Sequence, residues 1–171
     1  MAEFNSCSSL IKDKSKLDEL VDMYAKSSDP FQEILDMQKM LQSMLADKLP
    51  ERNIHPDDIA TKGQLIDWLD KNFDAIQDEF RELKTSVGGM SNGEKVASSV
   101  WKSWKTDNVS QRNSKIDSMQ EDDKLEMAFE FIDIMHFVAN MMLSLKLTSK
   151  DLYVLYMLKN LENARRYQSG Y

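Results

Sequence analysis

Apolar residues recur at steps of three and four along almost the whole chain. That is the spacing of one face of an α-helix, and no stretch alternates in the manner of a strand. The pattern predicts a first helix from about Ser8 to Lys26. A second has a marked start, with Asp29 able to cap it and Pro30 suited to its first position, and it ends near Leu49-Pro50. Glu51 to Ala60 reads as a loop, and Thr61 is placed to cap a third helix reaching about Thr85. Ser86 to Gly93 is the glycine-rich stretch and reads as a connection, without the Lys-Ser/Thr pair of a phosphate loop. A short helix around Glu94 to Trp104, a polar stretch from Lys105 to Ser118, and a long helix from about Glu121 to Lys146 follow. Thr148 or Ser149 caps a last helix ending near Gln168. The expected fold is all-α, a bundle of about five to six helices in a single domain spanning residues 1–171.

Polar residues interrupt this pattern where a core is expected. The helix from Glu121 is apolar on most of its circumference, which predicts a central, buried element. Yet Glu126, Glu130, Asp133, His136 or Phe137, and Asn140 follow one another at steps of four and three, and so share one face. The third helix has its apolar stripe in Leu65, Leu69, Phe73 or Ile76, Phe80 and Leu83, with Trp68, Asn72, Ala75, Glu79 and Glu82 beside it. Burying unpaired carboxylates costs several kcal/mol on the order given for ions, so a cation is called for. Glu79 with Glu82, and Glu130 with Asp133, are pairs three residues apart. On facing helices they make a hard-oxygen site suited to Mg²⁺ or Mn²⁺. The Glu-x-x-His pairs of di-iron bundles are missing. A single Glu-x-x-Glu is usually solvated surface, as Asp67, Asp70, Asp74 and Asp78 are expected to be.

Other positions carry two readings each. Gln38 breaks the apolar stripe of the second helix; a bidentate amide can read a base edge, or it can bond to nearby backbone. Tyr156, Lys159 or Asn160, Asn163 and Arg166 form a stripe on the last helix, whose Lys and Arg could bind phosphate oxygens or complement the helix dipole. Trp101 and Trp104 alternate with lysines and could stack on a base or anchor a core. Trp68 precedes Glu79 by eleven residues on one face, about 16 Å at helical rise, which suits a ring at one end of a nucleotide and phosphates at the other.

Composition narrows the classes. Of the 171 residues, 22 are basic and 29 acidic, a net charge of −7, which argues against a nucleic-acid polymer or a membrane surface as partner. The lone Cys7 allows no internal disulfide, the start has no basic and apolar leader, and no run is expected to span a membrane. A cytoplasmic location follows.

Glu79-Phe80-Arg81-Glu82, and Glu130-Phe131-Ile132-Asp133 with His136-Phe137, resemble the E-x-x-E and E-x-x-D-x-x-H-F motifs of the all-α nucleoside triphosphate pyrophosphatases, whose fold is dimeric-dUTPase/MazG-like. Tyr156 to Arg166 with Gly170-Tyr171, and Trp101-Lys102-Ser103-Trp104-Lys105, resemble Y-x-x-K-N-x-x-N-x-x-R-Q-x-x-G-Y and F-K-x-W-K of the dimeric dUTPase branch. Two positions depart from it: Gln42 stands for Asn in Q-x-x-L-N, and Tyr167 for Gln. The opening residues and the block Asp78–Leu83 are most similar to the T-even phage type, which acts on both dCTP and dUTP. The resemblance implies hydrolysis of pyrimidine deoxynucleoside triphosphates, and of the diphosphates, to the monophosphate, acting on the pool for phage DNA replication in the host cytoplasm. It implies Mg²⁺, with Mn²⁺ as a substitute, on Glu79, Glu82, Glu130 and Asp133, with Glu79 also the general base. Lys159, Arg166 and Tyr171 would then grip phosphate, and Gln38, Gln42, Trp68 and Asn163 would surround base and sugar. A homodimer is implied too. The alternatives are a strict dUTPase, another house-cleaning pyrophosphatase, or a non-enzymatic helical interaction protein.

Overall fold

A computed structural model describes residues 7–88 and 100–170, all helix, turn and loop. Among the described residues six α-helices follow in order: α1 (Lys14–Lys26), α2 (Pro30–Lys48), α3 (Lys62–Ser86), α4 (Val109–Arg112), α5 (Glu121–Ser144) and α6 (Ser149–Gln168). The all-α expectation holds. Local chemistry sets the ends. Asp29 accepts from the Gln32 backbone N–H, with Pro30 in the first position of α2. Thr61 accepts from the Gln64 N–H while the Gln64 side chain accepts from the Thr61 N–H. Thr148 and Asp151 cap α6 reciprocally. Lys146, in the left-handed region at φ 56°, turns the chain out of α5.

Several expectations are corrected. The first helix is split into a 3₁₀ segment, Cys7–Lys12, and α1, because the Asp13 carboxylate accepts from the Lys16 N–H and starts a new helix. The loop from Glu51 contains a turn of 3₁₀ helix at Pro56–Asp58. Residues 100–104 form turns rather than the end of a helix, and positions 94–99 lie outside the described residues. The polar stretch from Lys105 contains α4 and a 3₁₀ turn at Ile116–Ser118. By length and composition alone, α5 is apolar enough to cross a membrane, contrary to expectation. It is also not buried round its circumference: Phe131 and Ile132 are half-exposed.

The chain divides into two compact units, one of residues 1–26 and 71–138, the other of residues 27–70 and 139–171. In the first unit Lys84 lies over the rings of Phe80 and Trp101, and Trp101 meets Trp104 edge-on at 5.7 Å. The Arg112 guanidinium donates to the Val100 carbonyl.

The second unit is built on Leu35, 1% exposed, packed with Ala139 and Met142 and flanked by Phe31, Leu147 and Leu152. Here the starts of α2 and α6 are tied together. Ser149 donates its N–H to the Gln32 side chain and its hydroxyl to Asp29, and that hydroxyl, with the Gln32 backbone N–H, holds the Asp29 carboxyl below its usual pKa. From the middle of α2, Lys39 pairs with Asp57 at 2.8 Å, and Lys146 donates to the carbonyl of the buried Pro56. Those two lysines tie the loop between α2 and α3 to α2 and to the turn between α5 and α6.

Candidate active site

The carboxylates meet in the first unit. Glu79 and Glu82 come from consecutive turns of α3 and Glu130 from α5, and each offers an oxygen within 4.8 Å of the others. Helical spacing accounts for this: residues three apart project side by side, so a two-carboxylate clamp on one helix meets Glu130 on the next. Glu79 and Glu130 are half-buried and Glu82 is exposed.

Like charges at this range in a partly dry setting resist ionisation. Burial first, then the charges of Glu82, Asp133, Glu79 and Glu126, push the Glu130 carboxyl from 4.5 up to about 7. Glu79 is raised as well, by burial and then by Glu82, Asp133 and Asp78. Asp133 lies outside the converging trio of oxygens but within its field. The donors are all hard carboxylate oxygens, and two of them are raised in pKa by burial and by their acidic neighbours. That chemistry fits a divalent cation. His136, one turn on from Asp133, is exposed, so it is not a core histidine.

A second polar group occupies the other unit. The Gln38 amide nitrogen donates to Asn140 Oδ1 at 2.7 Å, and the Trp68 indole N–H donates to the Asn140 carbonyl at 3.1 Å. Gln38, Gln42, Trp68 and Asn140 are all buried. Of the two readings of Gln38, backbone bonding or an amide offered to a ligand, its bond to Asn140 is a third arrangement, side chain to side chain. That bond uses the one N–H of the Trp68 side chain. Asn140 itself was visible as a polar member of the α5 stripe, at the three-and-four spacing from Asp133, but the amide pairing that singles it out is not a spacing property.

The expected phosphate ligands lie on α6. Lys159, Asn163 and Arg166 are exposed, and Arg166 donates to Glu162 at 2.8 Å, as does Arg165. Any phosphate would therefore compete with Glu162 for the Arg166 guanidinium. Tyr171 lies outside the described residues. Of the aromatic pair, Trp104 is 69% exposed, while Trp101 carries Lys84 and Lys102 against its ring at about 5 Å. Trp101 is thus already occupied by cations, and Trp104 is the one open to solvent.

The raised carboxyl has a measurable consequence. Between 4.5 and about 7 the folded chain holds a proton on Glu130 that the unfolded chain has released. The contribution is present below the unfolded value and lost as pH rises through the folded one. The metal-free protein is expected to melt at falling temperature as pH rises across that window, and Glu130→Gln to flatten the slope. Melting curves at several pH values check this, and equal slopes in the two proteins would contradict the electrostatic reading.

No protein-family model matches the chain, and no solved structure matches it. Named proteins do. The chain is 44% identical over 172 aligned positions to the dCTP pyrophosphatase of Enterobacteria phage T4, covering 100% of both chains. It is 44% identical, again over the whole of both chains, to the dCTP pyrophosphatase of Enterobacteria phage LZ5. A DNA replication protein of phage T4 is 45% identical over 161 residues, which is 94% of this chain and 41% of that protein.

Proposed function

The chain belongs to the phage dCTP pyrophosphatase family, and on that premise we propose that it hydrolyses dCTP, and dUTP with it, to the deoxynucleoside monophosphate and pyrophosphate. The corresponding diphosphates are substrates of the same site. The observation that carries the reading is the convergence of Glu79, Glu82 and Glu130, which supports a divalent cation where a phosphate chain would otherwise be repelled. That cation is Mg²⁺, with Mn²⁺ able to replace it, and Asp133 completes the carboxylate set. A bound Mg²⁺ screens phosphate charge and acidifies coordinated water.

The chain's own groups have the remaining work. Glu79 takes the proton from the attacking water, and its raised pKa suits a base that must hold a proton in turn. The bond broken is the bridge between the first and second phosphates, since the products are the monophosphate and pyrophosphate. Lys159, Arg166 and Tyr171 neutralise phosphate oxygens. Gln38, Gln42, Trp68 and Asn163 surround base and sugar. The chain acts in the host cytoplasm on the pyrimidine deoxynucleotide pool that feeds phage replication, with no membrane or nucleic-acid polymer as partner.

A second copy of the chain is part of the proposal. On α2, Ile34, Met37, Met40 and Met44 are about half-exposed, and on α6 so are Leu155, Leu158 and Leu161. Apolar faces of this extent on the helices of one unit are what an interface between copies buries. Sedimentation is expected to give a species of twice 19.8 kDa. Leu158→Asp should shift it toward the single chain, and a single-chain mass for the unaltered protein would contradict the dimer.

Turnover of dCTP, dUTP, dTTP, dATP and dGTP with Mg²⁺, followed by pyrophosphate release, tests the activity. Release is expected from dCTP and dUTP. Glu79→Gln should lower it about 10²–10⁴-fold, the usual range for loss of a general base, with the helical content unchanged. Full turnover by that variant would remove Glu79 from the mechanism.

A further inference from the structure

The buried face of α2 is made by Leu35, Gln38, Gln42 and Ala46, at steps of three and four, so two amides stand in the middle of an otherwise apolar stripe. Their situations differ. Gln38 has Asn140 Oδ1 as a partner at 2.7 Å. Gln42, one turn further on and 9% exposed, makes no side-chain hydrogen bond to any group among the described residues. A buried amide without a partner is costly and uncommon, because packing takes it from bulk water and returns no bond. Neither its oxygen nor its nitrogen is fully sealed, so a ligand can reach the amide end.

A primary amide carries an acceptor oxygen and a donor NH₂ on a planar group that is nearly symmetric in shape. Turning it about the Cγ–Cδ bond exchanges the two. A bonded neighbour opposes that exchange. With none at Gln42 among the described residues, the fold prefers neither orientation there, and the choice falls to the ligand. The two pyrimidines of the proposed substrates differ at the 4-position in this same respect. Cytosine bears an amine, which donates, and uracil a carbonyl, which accepts. The Gln42 oxygen accepts from the first; with the amide turned, its NH₂ donates to the second.

We propose that Gln42 sets the breadth of base selection: its unpartnered amide turns to meet either a donor or an acceptor at the pyrimidine 4-position, so that one site takes both dCTP and dUTP. The proposal rests on the function proposed above, in which Gln42 lies beside the base. Gln42 touches the ring and no reacting atom, and it serves the two substrates equally.

The test is kcat/KM for dCTP, dUTP and a deoxynucleoside triphosphate whose pyrimidin-2-one ring has only hydrogen at the 4-position. The unaltered protein should use dCTP and dUTP within about fivefold of each other. It should use the third nucleotide about tenfold less well than either, which is the worth of one hydrogen bond of about 1.4 kcal/mol. Gln42→Met is close in shape and has no strong donor or acceptor. It should lower dCTP and dUTP about tenfold each and leave the third nucleotide within about twofold. An equal fall on all three nucleotides makes Gln42 a packing residue and overturns the proposal. A fall on only one of dCTP and dUTP, or on neither, overturns it too, as does a larger preference for either in the unaltered protein. Should Gln42→Met fail to fold, the unaltered protein decides alone: equal use of all three nucleotides overturns the proposal. If the unaltered protein releases pyrophosphate from neither dCTP nor dUTP, the function proposed above fails, which is a separate result.

Discussion

Mutual repulsion of carboxylates is the constraint around which the first unit is arranged. Glu79, Glu82 and Glu130 place oxygens within 4.8 Å of one another. Two unit charges at that separation repel by about 3 kcal/mol at an effective dielectric near 20, before solvent and salt reduce it. Helices do not assemble around such a cluster for stability. Burial first, and this repulsion after it, push the Glu130 carboxyl up to about 7, so the metal-free protein meets the cost by holding a proton there. A divalent cation meets it better, and the exchange of proton for metal links the site's charge to its ligand. The same arithmetic explains how an acidic protein, −7 overall, accepts an anionic substrate. With a divalent cation held by the carboxylates, the local sign at the site would be set by the ion and not by the chain.

The second unit follows a different rule, in which buried polar groups must be satisfied. Around the apolar contact of Leu35, Ala139 and Met142, the bonds of Asn140 to Gln38 and Trp68 tie α2 and α3 to α5. Buried amides are costly when unpaired and orienting when paired. The two helices that carry the carboxylates, α3 and α5, run on into this unit as Lys62–Asp70 and Ala139–Ser144. Each of them therefore bears metal-type chemistry on one part and amide chemistry on another.

Much of this was legible in the sequence wherever the signal was local. Pro30 after Asp29, and Thr148 three residues ahead of Asp151, announce their helix starts because capping needs only neighbours. The clamps Glu79–Glu82 and Glu130–Asp133 were legible because helical spacing alone puts their members on one face. Burial was less so. On α3 the stripe of Trp68 and Asn72 is the buried one, while Phe73 and Phe80 in the apolar stripe are half-exposed. Hydrophobicity predicts that a face will be covered but not by what covers it. The Gln38–Asn140 bond joins residues 102 apart in sequence, and no periodicity encodes which end of an amide faces which partner. Asp13, read as part of a first helix, instead begins α1, because a short carboxylate competes with the helix for its own backbone N–H groups.

The exchange of protons for metal at the carboxylates is the claim on which the rest turns. Calorimetric titration with Mg²⁺ near pH 6.5, repeated in buffers of different ionisation enthalpy, counts the protons displaced. With Glu130 near 7 and Glu79 raised, binding is predicted to release protons, and Glu130→Gln to release fewer. Mg²⁺ binding with no proton release, or no binding, would contradict the account.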